Sequence, residues 1–188
     1  LYGSRGELDL MRNFFEKYSN VAPNITTINN LMIAYSDYGD IEGMEWALEQ
    51  MRKRFIVPNT ATMLALINGY ANSGALKLIH GVFSLLQSFT KASIDANRCL
   101  MRALECFYLH KHFSDFVQAL RQFQNTAELS ARSVQDVVKG TLLRQQVNKQ
   151  EAQQLANLLS QASTQSKALE RIEKLLLQSP HPLLKHEK

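Results

Sequence analysis

Pro23-Asn24-Ile25-Thr26-Thr27-Ile28-Asn29-Asn30-Leu31-Met32-Ile33-Ala34-Tyr35, closed by Gly39, returns 35 residues later as Pro58-Asn59-Thr60-Ala61-Thr62-Met63-Leu64-Ala65-Leu66-Ile67-Asn68-Gly69-Tyr70, closed by Gly74. Pro-Asn, threonine, leucine, tyrosine and glycine all recur at one offset. The residues between them match in character, Met32 with Ile67 and Ala34 with Gly69. A fixed period of this size marks a repeat whose units are too small to bury their own apolar faces and must stack on one another.

Each unit reads as two helices. Ile25–Tyr38 carries Ile28, Leu31, Met32 and Tyr35 on one helical face. Gly39-Asp40 breaks it, because glycine accepts the backbone angles of a helix ending. Ile41–Arg54 follows with Ile41, Met44, Leu48 and Met51 in register, its glutamates early and Arg52, Lys53 and Arg54 late, as the helix dipole favours. The next unit repeats the plan with Thr60–Ser73, a turn at Gly74, and Ala75–Phe89. Upstream, Leu8–Tyr18 reads as the second helix of a partial unit whose first helix is expected before residue 1. The sequence is therefore expected to be a portion of a longer protein.

Beyond about residue 90 the pattern loosens. Asp95–His112 and Ser114–Phe123 read as helices, the first several residues too long for the frame. Ala131–Gln146, Lys149–Gln161 and Ser166–Gln178 continue as helices, and Pro180-His181-Pro182 ends regular structure. The expected organisation is a partial repeat over 1–23, full repeats over 24–58 and 59–93, a diverged repeat over 94–125, helical repeats or a cap over 126–180, and a tail. The expected fold is all-α, a right-handed superhelical solenoid of helix-turn-helix repeats.

Composition fits this reading. Hydrophobic residues make up 45% of the 188, enough for a core. No apolar run reaches the roughly 18 residues that a spanning helix needs. The net charge of +4 belongs to the second half: residues 1–90 carry seven Lys/Arg against eight Asp/Glu, residues 91–188 fourteen against nine. Cys99 and Cys106 lie on one side of a helix and cannot pair within it, so a reducing compartment is expected.

The quoted residues resemble the pentatricopeptide repeat: Pro-Asn, two variable residues, a Thr-x-Asn triplet, Leu-Met or Leu-Ile, and a later glycine. The triplet's usual tyrosine is Ile28 in one unit and Met63 in the other. Its asparagine is kept as Asn29 but replaced by Leu64. The tetratricopeptide repeat is the nearest rival, but its Trp-x-x-Leu-Gly-x-x-Tyr face is absent and Trp46 falls in a second helix.

The resemblance implies single-stranded RNA binding in an organelle, mitochondrion ahead of plastid, with RNA and assembly neighbours as partners and no cofactor. It assigns base selection to Asn29 together with Asn59, and packing against the base to Thr26. A carboxamide carries both donors and an acceptor and can address the Watson–Crick edge of an unpaired base. Two asparagines in these places resemble a pyrimidine reader. Asn24, one unit before Asn59, joins the candidates. The corresponding set in the next unit is Leu64, Ala61 and a closing residue, Asp95 by chemistry or Ile94 by strict count, and it has no means of specifying a base.

Simpler roles stand beside these. Asn24 and Asn59 precede helices, where asparagine caps well, and Asn29 could be an ordinary polar surface residue. The helices Ile25–Tyr38 and Thr60–Ser73 contain no Lys or Arg, although phosphate binding draws much of its strength from cations. Cys106, His110 and His112 suggest zinc only if Cys99 supplies the fourth ligand from two turns away, and no Cys-x-x-Cys pair is present. No phosphate loop and no nucleophile–base arrangement is visible. The sequence thus favours a non-enzymatic, RNA-associated repeat scaffold, such as a ribosomal component. A sequence-preferring RNA-binding factor is the alternative.

Overall fold

A computed structural model describes residues 7–18, 23–88, 95–124, 141 and 149–162. The described residues form eight α-helices and no strand: α1 (Leu8–Lys17), α2 (Ile25–Asp37), α3 (Ile41–Lys53), α4 (Thr60–Asn72), α5 (Ile79–Ser88), α6 (Ala96–Leu109), α7 (Phe113–Gln124) and α8 (Lys149–Ala162). The protein is all-α. Two compact units divide at Cys99–Leu100, within α6.

In the first unit α2 packs against α3 and α4, α4 packs against α5, and α1 lies on α2. The apolar stripes read from the sequence meet here: Ile28, Met32, Met44, Met51, Met63, Leu66, Ile67 and Ile79 are all buried. Two glycines set how closely the helices approach. A Cβ on Gly43 would enter the Tyr35 ring, and one on Gly69 would enter the Met44 thioether. Trp46 lies in α3, where its ring meets Phe15 of α1 edge-on at 5.4 Å and Tyr35 of α2 at 6.2 Å. The Arg12 guanidinium covers it at 4.8 Å.

The turns explain the period. Asn24, Asp40, Asn59 and Asp95 each accept a bond from the backbone N–H three residues on, capping α2, α3, α4 and α6. Gly39 and Gly74 leave α2 and α4 with φ of 65° and 76°. At Gly39 the ending is complete: the Gly39 N–H donates to the Ser36 carbonyl and the Asp40 N–H to the Tyr35 carbonyl.

Two expectations need correction. Asp95–His112 was expected to overrun the frame, yet α6 has 14 residues against 13 in α2 and α4. Lys111, at φ 60°, makes the same ending without a glycine, its N–H donating to the Tyr108 carbonyl and that of His112 to the Phe107 carbonyl. The helix expected over Ala75–Phe89 begins as a 3-10 turn, Leu76–Leu78, before α5. The helices expected over Ala131–Gln146 and Ser166–Gln178 and the tail lie outside the described residues, apart from Thr141, which is helical and buried.

In the second unit α7 packs on α8. Leu104, Phe107, Phe116, Leu120, Leu155 and Leu159 are buried. Glu151 of α8 ties in the end of α6, accepting from the Tyr108 hydroxyl and pairing with Lys111. Burial, then the Glu151 carboxylate, pushes the Tyr108 hydroxyl well above its ordinary range.

Candidate nucleic-acid interface

The residues singled out as base readers lie where α2 meets the start of α4. These two helices run parallel, linked at both ends. At the far end the Asn72 side chain donates to the Ser36 carbonyl at 2.9 Å. At the near end stand Asn29, Asn59 and Thr62.

Asn29 is 6% exposed. Its Nδ2 donates to Asn59 Oδ1 at 3.1 Å, and its Oδ1 accepts from the Thr62 hydroxyl at 2.7 Å. Asn59 is the cap of α4, and its Oδ1 also accepts the Thr62 N–H at 3.2 Å. The Asn59 N–H in turn donates to Thr62 Oγ1 at 3.1 Å, closing a capping box. Both carboxamide oxygens are thereby engaged, and the polarity left over is N–H.

The other candidates are spread along the same edge without joining the network. Thr26 and Ala61 are exposed, Leu64 is half-buried, and Asn24 is an exposed cap whose Oδ1 accepts from the Thr27 N–H and hydroxyl. Asn29 is not the surface residue that one simple reading made it; burial and its bonds to Asn59 and Thr62 rule that out. Asp95, one of the two closing residues considered, is the cap of α6, and its N–H donates to Thr60 Oγ1 at 2.8 Å.

Sequence reasoning missed Thr62. It was visible as a repeat of Thr27, but Thr27 is exposed while Thr62 is wholly buried. The difference is the neighbour: Thr62 faces Asn29 of the preceding hairpin, and only the packing of α2 beside α4 reveals that contact.

The edge has little charge. Asp37 is the one charged residue on α2, and α4 has none. Tyr35 and Tyr70, at equivalent places, face inward; burial pushes the Tyr35 hydroxyl up to about 12 and raises that of Tyr70.

The cysteine and histidine candidates do not converge. Cys99 and Cys106 are buried free thiols, and desolvation holds both protonated, Cys99 pushed up to about 12. His110 Nδ1 is 2.9 Å from the Cys106 carbonyl, and His112 Nδ1 is 2.9 Å from Asp115. Among the described residues no three His, Cys, Asp or Glu side chains gather as metal ligands. Nor is any described helix long and apolar enough to cross a membrane.

No protein-family model matches the chain, and no curated protein matches it.

Proposed function

We propose that this chain is a helical-repeat protein of the pentatricopeptide type, its hairpins stacked as a right-handed superhelical solenoid. In this reading it serves as a non-enzymatic, RNA-associated scaffold in a ribosome or other large ribonucleoprotein assembly of an organelle, the mitochondrion before the plastid. The observation that carries the scaffold reading is the burial of Asn29. A residue engaged by Asn59 and Thr62 joins one hairpin to the next, and the uncharged helices beside it offer phosphates no cation. The test is ultraviolet crosslinking of the native protein in its organelle, with sequencing of the attached RNA. Crosslinks to ribosomal RNA support the scaffold. Crosslinks confined to short sites in one or a few messages or introns refute it.

The second reading, a sequence-preferring single-stranded RNA-binding factor for transcript stability, splicing or translation, is favoured by one specific contact. Asn29 and Asn59, thirty positions apart, meet side chain to side chain at 3.1 Å. Together they would present N–H donors to the acceptors of a pyrimidine edge. Asn29→Ala should then reduce selectivity between RNAs by roughly fivefold to a hundredfold, the worth of one well-read base. Under the scaffold reading it changes RNA binding little.

A further inference from the structure

The connection from α3 to α4 holds an arrangement that packing does not explain. The Phe55 N–H donates to the Arg52 carbonyl at 3.1 Å and the Ile56 N–H to the Met51 carbonyl at 2.9 Å. This is the ending that Gly39 gives α2, and it places Phe55 at φ 56°. Glycine or asparagine suits that position; an aromatic residue there costs roughly 1 kcal/mol or more. Burial recovers none of it, because Phe55 is 94% exposed.

Arg52, Lys53 and Arg54 immediately precede the ring. Arg54 folds back onto Gln50 and over the Phe15 ring. Arg52 and Lys53 extend into solvent, their side chains 79% and 60% exposed. Glu49 grips the Arg52 guanidinium with two bonds, at 2.7 and 2.8 Å, and Lys53 lies 3.9 Å from the same carboxylate. Three cations against one carboxylate leave the end of α3 positive.

We propose that Phe55, Arg52 and Lys53 form a binding site for single-stranded RNA, in which an unpaired base stacks on the Phe55 ring and the adjoining phosphates pair with Arg52 and Lys53. A ring held in solvent beside cations is how proteins grip single strands without reading sequence, since every base has a face to stack. The charge complementarity is specific to this place. The edge formed by α2 and α4 lacks basic residues, whereas Arg52, Lys53 and Arg54 are half of the Lys and Arg in residues 7–88 of the sequence. The site rests on the RNA-associated reading but on none of its reader residues.

The test is fluorescence anisotropy of the 188-residue chain with labelled oligo(U), over a range of salt. Phe55→Gly removes the ring while suiting the backbone, so folding is preserved. It should weaken binding about tenfold, within the range for one stacked base. Phe55→Trp should bind like the wild type. Arg52→Gln with Lys53→Gln should weaken binding and lower the salt slope by about 1.4, the share of two phosphate contacts on a single strand. Ultraviolet crosslinking to oligo(U) should mark the peptide that contains Phe55.

Wild-type affinity in Phe55→Gly overturns the site and leaves the scaffold reading standing. Failure of the wild type to bind oligo(U) overturns the site and counts against the RNA-associated reading as well. If Phe55→Gly loses adhesion to phosphatidylserine vesicles while its RNA binding is unchanged, the patch is a membrane contact and the proposal fails.

Discussion

The starts of α4 and α6 are each tied to the start of an earlier helix, and by different means. At α4, Asn29 reaches across from α2 and shares its carboxamide with Asn59 and Thr62. At α6 the position equivalent to Asn29 is Leu64, which has nothing to share. The link there is a backbone one, from the Asp95 N–H to Thr60 Oγ1. Both joints begin with a side-chain cap, but one is a buried side-chain network and the other an exposed single bond. Repetition of the backbone plan thus does not require repetition of the polar contacts. What the residue at this position does depends on which residue the next helix sets opposite it.

The largest effect is expected where turn and joint coincide. A Cβ on Gly39 would lie 2.9 Å from the Ser73 backbone nitrogen, whereas one on Gly74 meets nothing within 4 Å. Both residues are left-handed. Gly74→Val therefore adds backbone strain alone, about 1–2 kcal/mol. Gly39→Val adds overlap with the end of α4 and should cost about 3–4 kcal/mol. Urea denaturation followed by circular dichroism separates the two. Equal losses would show that the close passage of the Gly39 turn by Ser73 does not matter to stability.

Next in size is Thr62→Val, which keeps the shape but removes the hydroxyl. The buried Asn29 Oδ1 then loses its donor and the Asn59 N–H its acceptor, at a cost of about 1–3 kcal/mol. The same denaturation measurement checks it, and a loss below about 0.5 kcal/mol, the usual range for surface substitutions, would mean that the network does not hold the joint.

The contrast also shows what was legible beforehand. Gly39 and Gly74 announced their turns because glycine is the residue that conformation prefers. Asn24 and Asn59 announced their helix starts through residue type and position, and Asp40 and Asp95 prove to cap α3 and α6 in the same way. Phe55 and Lys111 end helices in the same way but carry side chains that give no such signal, which is why the pattern over Asp95–His112 reads longer than α6. The candidate site was half legible. Asn29 and Asn59 were paired in the sequence reading, and the structure brings them together. That they bond to each other and to a buried Thr62 depends on how α2 packs beside α4, which local pattern does not contain.

The smallest effect belongs to the exposed joint. Asp95→Ala removes the acceptor for the Arg98 N–H but leaves the backbone bond to Thr60 in place, because that bond uses the N–H of residue 95 itself. Only the cap is lost, worth about 1 kcal/mol. Asn59→Ala, at the equivalent position, removes a cap together with the acceptor for Asn29 Nδ2, and should cost about 2 kcal/mol or more by the same denaturation measurement. The gap between the two isolates the side-chain link across the joint, since the capping terms are of one kind. A gap close to zero would mean that α4 needs Asn59 only as a cap. The contact between Asn29 and Asn59 would then be free to open, which is what a base reader requires and a structural clasp does not.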